Sequence, residues 1–174
     1  MPGVPWLERV LATRCDGLLI VNVHSPISAK PDLAKVRTHE AVHRHLFGHA
    51  GPAVLCGDLN TPRKEHPDGR VWTFARTAQG KLRPERGRRW DEAELSLIKG
   101  LEPSGFRDAF RERHGREVRE LSWEWARWSG GYRLDHLIAS REVTVDEVSY
   151  PHDWRRRGLS DHSPLLAELV WPPD

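Results

Sequence analysis

Residues 53–60 read AVLCGDLN, and the reading of the whole chain turns on them. Apolar or small residues run into Gly57, with Asp58 and Asn60 just beyond. A short apolar run bounded by glycine and polar residues has the signature of a buried strand. Gly57 permits a tight exit from that strand. Asp58 and Asn60 then stand at the C-terminal end of a core strand, where α/β folds place their chemistry. Two residues apart in extended backbone, their side chains share a face and reach one ligand or one ion. An Asx-turn at a polar loop start accounts for the same two residues without any function.

Working outward, residues 17–24, GLLIVNVH, form a second buried strand by their Leu, Ile and Val content, ended by Ser25-Pro26. Between the two strands, residues 32–48 make the longest helix, with Asp32 capping or charging its start and Gly48 marking its end. Strand, crossover helix and strand predict a right-handed α/β unit. Before it, residues 5–13 carry Trp6, Leu7, Val10 and Leu11 at helical spacing and predict a short amphipathic helix. After it come a loop at 61–69, a short edge strand at 71–74 and a basic exposed stretch at 79–90. Helices are expected over 91–99 and 105–114. Trp123 and Trp125 share a face if extended, as aromatic core or rim, with Trp128 close behind. Apolar runs at 134–140, 143–148 and 165–171 complete the strand candidates.

A chain of 174 residues with 38% hydrophobic content supports one domain. The net charge is only +2, yet most of the 27 basic residues are Arg, which suits bidentate phosphate contacts. Two cysteines, Cys15 and Cys56, make no disulfide framework, and Cys56 reads as a small core residue. Neither a membrane span nor a signal peptide is legible, so a soluble cytoplasmic protein is expected.

Polar residues recur at strand ends: His24, Asp58 with Asn60, Asp135 with His136, and Asp161 with His162. Converging on one sheet edge, such groups would suit a hard divalent ion, and a His beside a carboxylate would suit proton transfer. Scattered turn caps give the same list. Residues 39–43, HEAVH, match the zinc-protease signature, with His39 and His43 one helical turn apart and Glu40 as base. His49 falls at the third position of the extended motif, but Leu46 stands where that motif needs Gly, and no Met-turn follows. A partly buried crossover helix explains the histidines equally well. Two basic clusters, Lys81, Arg83, Arg86, Arg88 and Arg89, and then Arg155, Arg156 and Arg157, are either phosphate contacts or solvated faces.

Four of these stretches together resemble the C-terminal part of the endonuclease/exonuclease/phosphatase superfamily: NVHSP at 22–26, GDLN at 57–60, YRLDHLIAS at 132–140 and LSDHSPLLAEL at 159–169. Each is weak alone; their order and strand context make the match. The resemblance implies a two-layer-sheet α/β sandwich, here partial, and hydrolysis of phosphate esters with Mg²⁺ or Mn²⁺. It implies that His162 activates or orients water and that Asp135 holds His162. Asp161 would be a metal ligand. Asp58 and Asn60 would contact phosphate and attacking water, or help a second ion, and His24 would contact phosphate. His136 replaces a more usual aromatic residue and is given no catalytic role. The substrate would be a phosphate ester, DNA or RNA among the options.

The resemblance also implies an upstream Asn and a metal-binding Glu, and no such stretch precedes Gly17; Glu8 sits in a helix-like segment. The chain therefore reads as a half-domain, completed by a missing N-terminal segment or by a complementing chain. The final strand would pair with that absent half. A weak or inactive phosphoesterase, or a non-catalytic phosphate- or nucleic-acid-binding remnant, are both consistent with the sequence.

Overall fold

The structure is a computed structural model that describes residues 1–27, 33–127 and 129–172. A hairpin opens the chain, β1 (Val10–Cys15) pairing antiparallel with β2 (Leu18–Val23). Helix α1 (Ala34–Leu46) then crosses to β3 (Ala53–Asp58), which lies parallel to β2. Two short strands, β4 (Lys64–Glu65) and β5 (Val71–Trp72), pair with each other ahead of α2 (Gly87–Ile98). The two-residue strand β6 (Arg107–Asp108) leads directly into α3 (Ala109–His114). A second short pair, β7 (Trp123–Glu124) and β8 (Gly131–Tyr132), precedes β9 (Asp135–Ala139). Strand β10 (Thr144–Ser149), the single turn α4 (Asp153–Arg156) and β11 (Leu166–Val170) end the fold.

The central sheet has the order β1-β2-β3-β9-β6, and β10 and β11 form a separate two-stranded sheet. Side-chain alternation sorts the central sheet into two buried faces. Leu19, Val21, Val23, Leu55 and Ile138 point to the side covered by α1 and α2, where Val42, Leu46, Leu97 and Ile98 meet them. Leu18, Ile20, Val54, Leu137 and Ala139 point the other way, against Val145, Val148, Ala167 and Leu169 of the small sheet. The architecture is thus helices, a mixed sheet and a second, smaller sheet. Only one face of that second sheet is covered: Leu166 and Val170, on its outer side, are 51% and 55% exposed. No helix among the described residues is long and apolar enough to cross a membrane.

Residues 5–13 are not the amphipathic helix that their periodicity predicts. A single 3-10 turn, Leu7–Arg9, gives way to β1, and Leu7 and Leu11 are 64% and 61% exposed. The competing signal is Asp16-Gly17, where φ is +46° and +80°. An Asp-Gly pair in left-handed backbone closes a two-residue hairpin whose twist matches its strands. The expected helix over 105–114 is confined to its second half. Gly105 has φ +82°, Arg107 and Asp108 pair with β9, and the Asp108 carboxylate caps α3 by accepting from Arg111 N at 3.0 Å. The helix expected at 91–99 begins earlier, at Gly87. The extended stretch at 71–74 shortens to β5. The proposed cap Asp32 and the third tryptophan, Trp128, lie outside the described residues.

Candidate active site

In the pairing of β3 with β9, Asp58 lies directly opposite Asp135. Two like charges at a cross-strand position work against the sheet. The Asp58 carboxyl is accordingly held above the usual carboxylate range, first by burial and then by the Asp135 charge. Gly57 makes this end of the strand possible. Its φ is +110°, and a Cβ there would sit 2.3 Å from the Val23 carbonyl oxygen. The Ser25 N–H donates to the Asp58 carbonyl at 2.7 Å, which fastens the end of β2 to the end of β3 and brings His24 to the same edge. His24 Nε2 is 4.0 Å from Asp58 Oδ2, and its side chain is 64% exposed.

Asn60 follows in left-handed backbone, φ +50°. Asp58 Oδ1 accepts from Asn60 N at 2.8 Å, an Asx-turn, and Asp58 Oδ2 accepts from Asn60 Nδ2 at 3.0 Å. Asn60 Nδ2 also donates to the Ser25 carbonyl at 2.8 Å. The local turn and the shared position are therefore one arrangement rather than alternatives. With both amide hydrogens engaged, Asn60 presents Oδ1, an acceptor.

His162 comes from the loop before β11. Its Nδ1 donates to Asp135 Oδ2 at 2.7 Å, and that hydrogen bond raises the imidazole pKa above its ordinary value. Asp135 is fixed from behind: Ser122 Oγ accepts from Leu134 N and Asp135 N at 2.8 and 3.1 Å, and Tyr150 Oη donates to the Asp135 carbonyl at 2.6 Å. Trp123 bridges to His162 through the backbone. Asp161 is exposed and makes no hydrogen bond among the described residues. His24, Asp58, Asn60, Asp135, Asp161 and His162 all line one cleft of about 710 Å³. The six residues that the resemblance marks out therefore line one cleft.

Two supporting networks carry no obvious sequence signal. Lys35 on α1 is buried and donates to the Asn60 carbonyl at 2.6 Å and to Glu94 Oε1 at 2.9 Å. Glu94 on α2, also buried, accepts in addition from Trp90 Nε1, Thr61 Oγ1 and Phe74 N, each at 2.8 Å. This pair props the loop that carries Asn60. Behind β9, Arg133 is 3% exposed and forks onto Glu65 and Asp108. Glu65 takes a second fork from Arg111, at 3.1 and 2.7 Å. His136 belongs to this structural layer, with Nε2 donating to the Thr61 carbonyl at 2.8 Å.

The HEAVH match is used for packing. His39 is buried, with Nδ1 on the Ala93 carbonyl at 3.3 Å and Nε2 on Ser25 Oγ at 2.8 Å; burial pulls its pKa down to about 3. His43 Nε2 donates to the Gly100 carbonyl at 3.2 Å, and Glu40 is clamped by Arg89. The zinc-protease reading is corrected accordingly: both ring nitrogens of His39 and Nε2 of His43 are taken by protein partners, and no group of three His, Cys, Asp or Glu that could hold a metal occurs among the described residues. Metal analysis of the purified protein is expected to show no stoichiometric zinc lost on replacing His43 with Ala; a zinc atom bound per chain and released by that change would reverse this.

A divalent ion is a different question. Among the described residues no three His, Cys, Asp or Glu side chains converge closely enough to hold a metal by themselves. The Asp58 carboxylate, crowded by Asp135, and the Asn60 Oδ1 acceptor are hard oxygen donors, with Asp161 on the same cleft. These are oxygen donors of the kind a hard divalent ion takes. Mg²⁺ characteristically binds through one or two carboxylates and completes itself with water and substrate phosphate.

The mixed α/β fold, a central sheet with helices on one face and a small second sheet on the other, is shared with solved structures. Among solved structures it resembles the 3' phosphatase NExo from Neisseria bound to a product DNA hairpin, with TM-score 0.64 and 23% identity, covering 97% of this chain and 69% of that one. It resembles equally an AP endonuclease from Archaeoglobus fulgidus, with TM-score 0.63 and 21% identity, covering 97% of this chain and 68% of that one. At such identities the likeness is one of fold. No family model matches the sequence, and no curated protein matches it significantly.

Proposed function

We propose that this chain is a nuclease-like phosphoesterase that works on nucleic-acid phosphate esters with Mg²⁺ or Mn²⁺. The observation that carries the reading is the His162–Asp135 pair, 2.7 Å apart, facing the same cleft as the coupled Asp58 and Asn60. Asp135 accepts the Nδ1 proton of His162, which leaves Nε2 as the base that takes a proton from water. Asn60, with its amide hydrogens engaged, offers Oδ1 to that water or to a cation rather than a donor to phosphate. Asp58 orients Asn60. The exposed His24 imidazole is placed to contact a phosphate oxygen. Asp58, Asn60 and Asp161 are the groups that would hold the ion, which supplies charge stabilisation to the phosphoryl oxygens when bound. A DNA-bound protein among the structural neighbours supports a nucleic-acid substrate for this reading.

The test is turnover of DNA and RNA phosphodiesters and of 3'-phosphorylated ends, with Mg²⁺, with Mn²⁺ and with chelator. Hydrolysis that chelator abolishes and either metal restores is the expected result. Nucleic-acid binding without hydrolysis under any of these conditions would instead identify a non-catalytic module on the same scaffold.

A further inference from the structure

Three arginines outside the catalytic constellation share its cleft: Arg63, just after the Asn60 loop, and Arg83 and Arg86, from the segment leading into α2. Their counter-charges are few. Arg86 Nη1 is buried and has no hydrogen-bond partner among the described residues. The strongest opposite charge acting on Arg86 is Glu94, whose two oxygens are already filled by Lys35, Trp90, Thr61 and Phe74. Arg63 makes no hydrogen bond or ion pair among the described residues. Among the described residues the Arg83 side chain reaches only the Arg76 carbonyl at 3.3 Å and the exposed Glu85 at 3.7 Å. Burial and the charges of Arg83 and Arg63 together pull the Arg86 pKa down. Guanidiniums gathered with so little compensation form a standing site for an anion.

This cationic group is separate from the catalytic one. The strongest charges acting on His162 are Asp135, Asp58 and Asp161, and those acting on Asp58 are Asp135, His162 and His24. No arginine is among them. One cleft of about 710 Å³ is thus lined both by the carboxylates with the imidazole and by three guanidiniums. That is far more room than one phosphate fills. A phosphate held by His162 does not by itself balance three guanidiniums, so the charge pattern favours a ligand with two phosphates. The neighbouring basic residues do not join: Lys81 and Arg88 are exposed away from the cleft lining, and Arg89 is paired with Glu40.

We propose that Arg63, Arg83 and Arg86 form a subsite for the phosphate next to the scissile one on a nucleic-acid strand, so that the preferred ligand carries two consecutive phosphates. The proposal rests on the phosphoesterase reading for the position of the scissile phosphate, but its test needs no turnover. Thymidine dinucleotides with one phosphate (TpT) and two phosphates (pTpT and TpTp) are titrated against the full chain in chelator, by calorimetry or by competition with a labelled oligonucleotide. At least one two-phosphate dinucleotide is expected to bind about tenfold or more tightly than TpT, one good charge-assisted contact being of that order. Arg63→Met and Arg86→Met are each expected to erase most of that advantage, and Arg88→Met to keep it. Arg63 has no partner to lose, so its variant tests binding without disturbing the fold; circular dichroism melting checks this. Equal binding of all three dinucleotides, an advantage that survives both Arg63→Met and Arg86→Met, or an equal loss in Arg88→Met would overturn the proposal. Tighter binding of inositol 1,4-bisphosphate than of any dinucleotide would overturn its assignment to nucleic acid. Failure of hydrolysis alone would count against the proposed activity and leave these binding results standing.

Discussion

Replacing Arg133 with methionine is expected to destabilise the chain by about 3–5 kcal/mol, because it leaves buried carboxylates without their counter-charge. Arg133 is 3% exposed and donates to Glu65 at 2.9 and 2.7 Å and to Asp108 at 3.2 and 2.6 Å. Arg111 keeps Glu65 partly compensated, but Asp108 is left with its cap on α3 and the His136 contact at 3.4 Å. For a chain of this size the melting temperature should fall by roughly 6–20 °C. Arg133→Lys should recover little of it, since an ammonium cannot make both forks. A melting temperature within a few degrees of the wild type for Arg133→Met would show that the network contributes little.

The same network sets an acid limit. The Arg133 charge and the forks from Arg133 and Arg111 outweigh burial and hold the Glu65 carboxyl down at about 2, from an ordinary 4.5; Asp108 lies below its usual range for the same kind of cause. A carboxylate whose folded pKa is depressed stabilises the fold fully above its unfolded pKa. That contribution shrinks as pH falls from about 4.5 towards about 2. Unfolding followed by pH should therefore begin within this window in the wild type.

What the sequence disclosed follows from how local each signal is. The strands at 18–23 and 53–58 were legible because their side chains are buried on both faces, which demands unbroken apolar runs. The β1–β2 hairpin was hidden because Trp6, Leu7, Val10 and Leu11 mimic helical spacing while Asp16-Gly17 carries the turn in two residues. Among site residues, Asp58, Asn60, Asp135 and His162 could be named from motifs. That Asp58 faces Asp135 across the sheet could not, because register between residues so far apart in sequence is set by tertiary packing. Lys35 and Glu94 were invisible for another reason. On an amphipathic helix such residues ordinarily read as solvent-facing, and only the packing of α1 against α2 reveals a buried pair. The arginines divide likewise: the sequence grouped Arg83, Arg86, Arg88 and Arg89 by proximity, whereas the structure takes Arg83 and Arg86 into the cleft and pairs Arg89 elsewhere.

Replacing His162 with alanine is expected to lower phosphodiester turnover by about 10²–10⁴-fold, the range a positioned general base contributes. Asp135→Asn should fall in the same range with little loss of fold, because an amide placed at Oδ2 no longer accepts the imidazole proton and the His162 tautomer is lost. Since the two act as one unit, the double variant should be no slower than the worse single one. Asp58→Asn gives the complementary result. It removes the repulsion across β3 and β9, worth under about 1 kcal/mol, and with it one of the two hydrogen bonds accepted from Asn60, of similar size, so its melting temperature should stay within a few degrees of the wild type while turnover drops. A carboxylate pair that weakens the sheet yet is needed for rate is what a functional site predicts and a structural ion pair does not. Turnover within threefold of the wild type in His162→Ala, or a lower melting temperature with full turnover in Asp58→Asn, would remove these residues from the chemistry and leave them as parts of the scaffold.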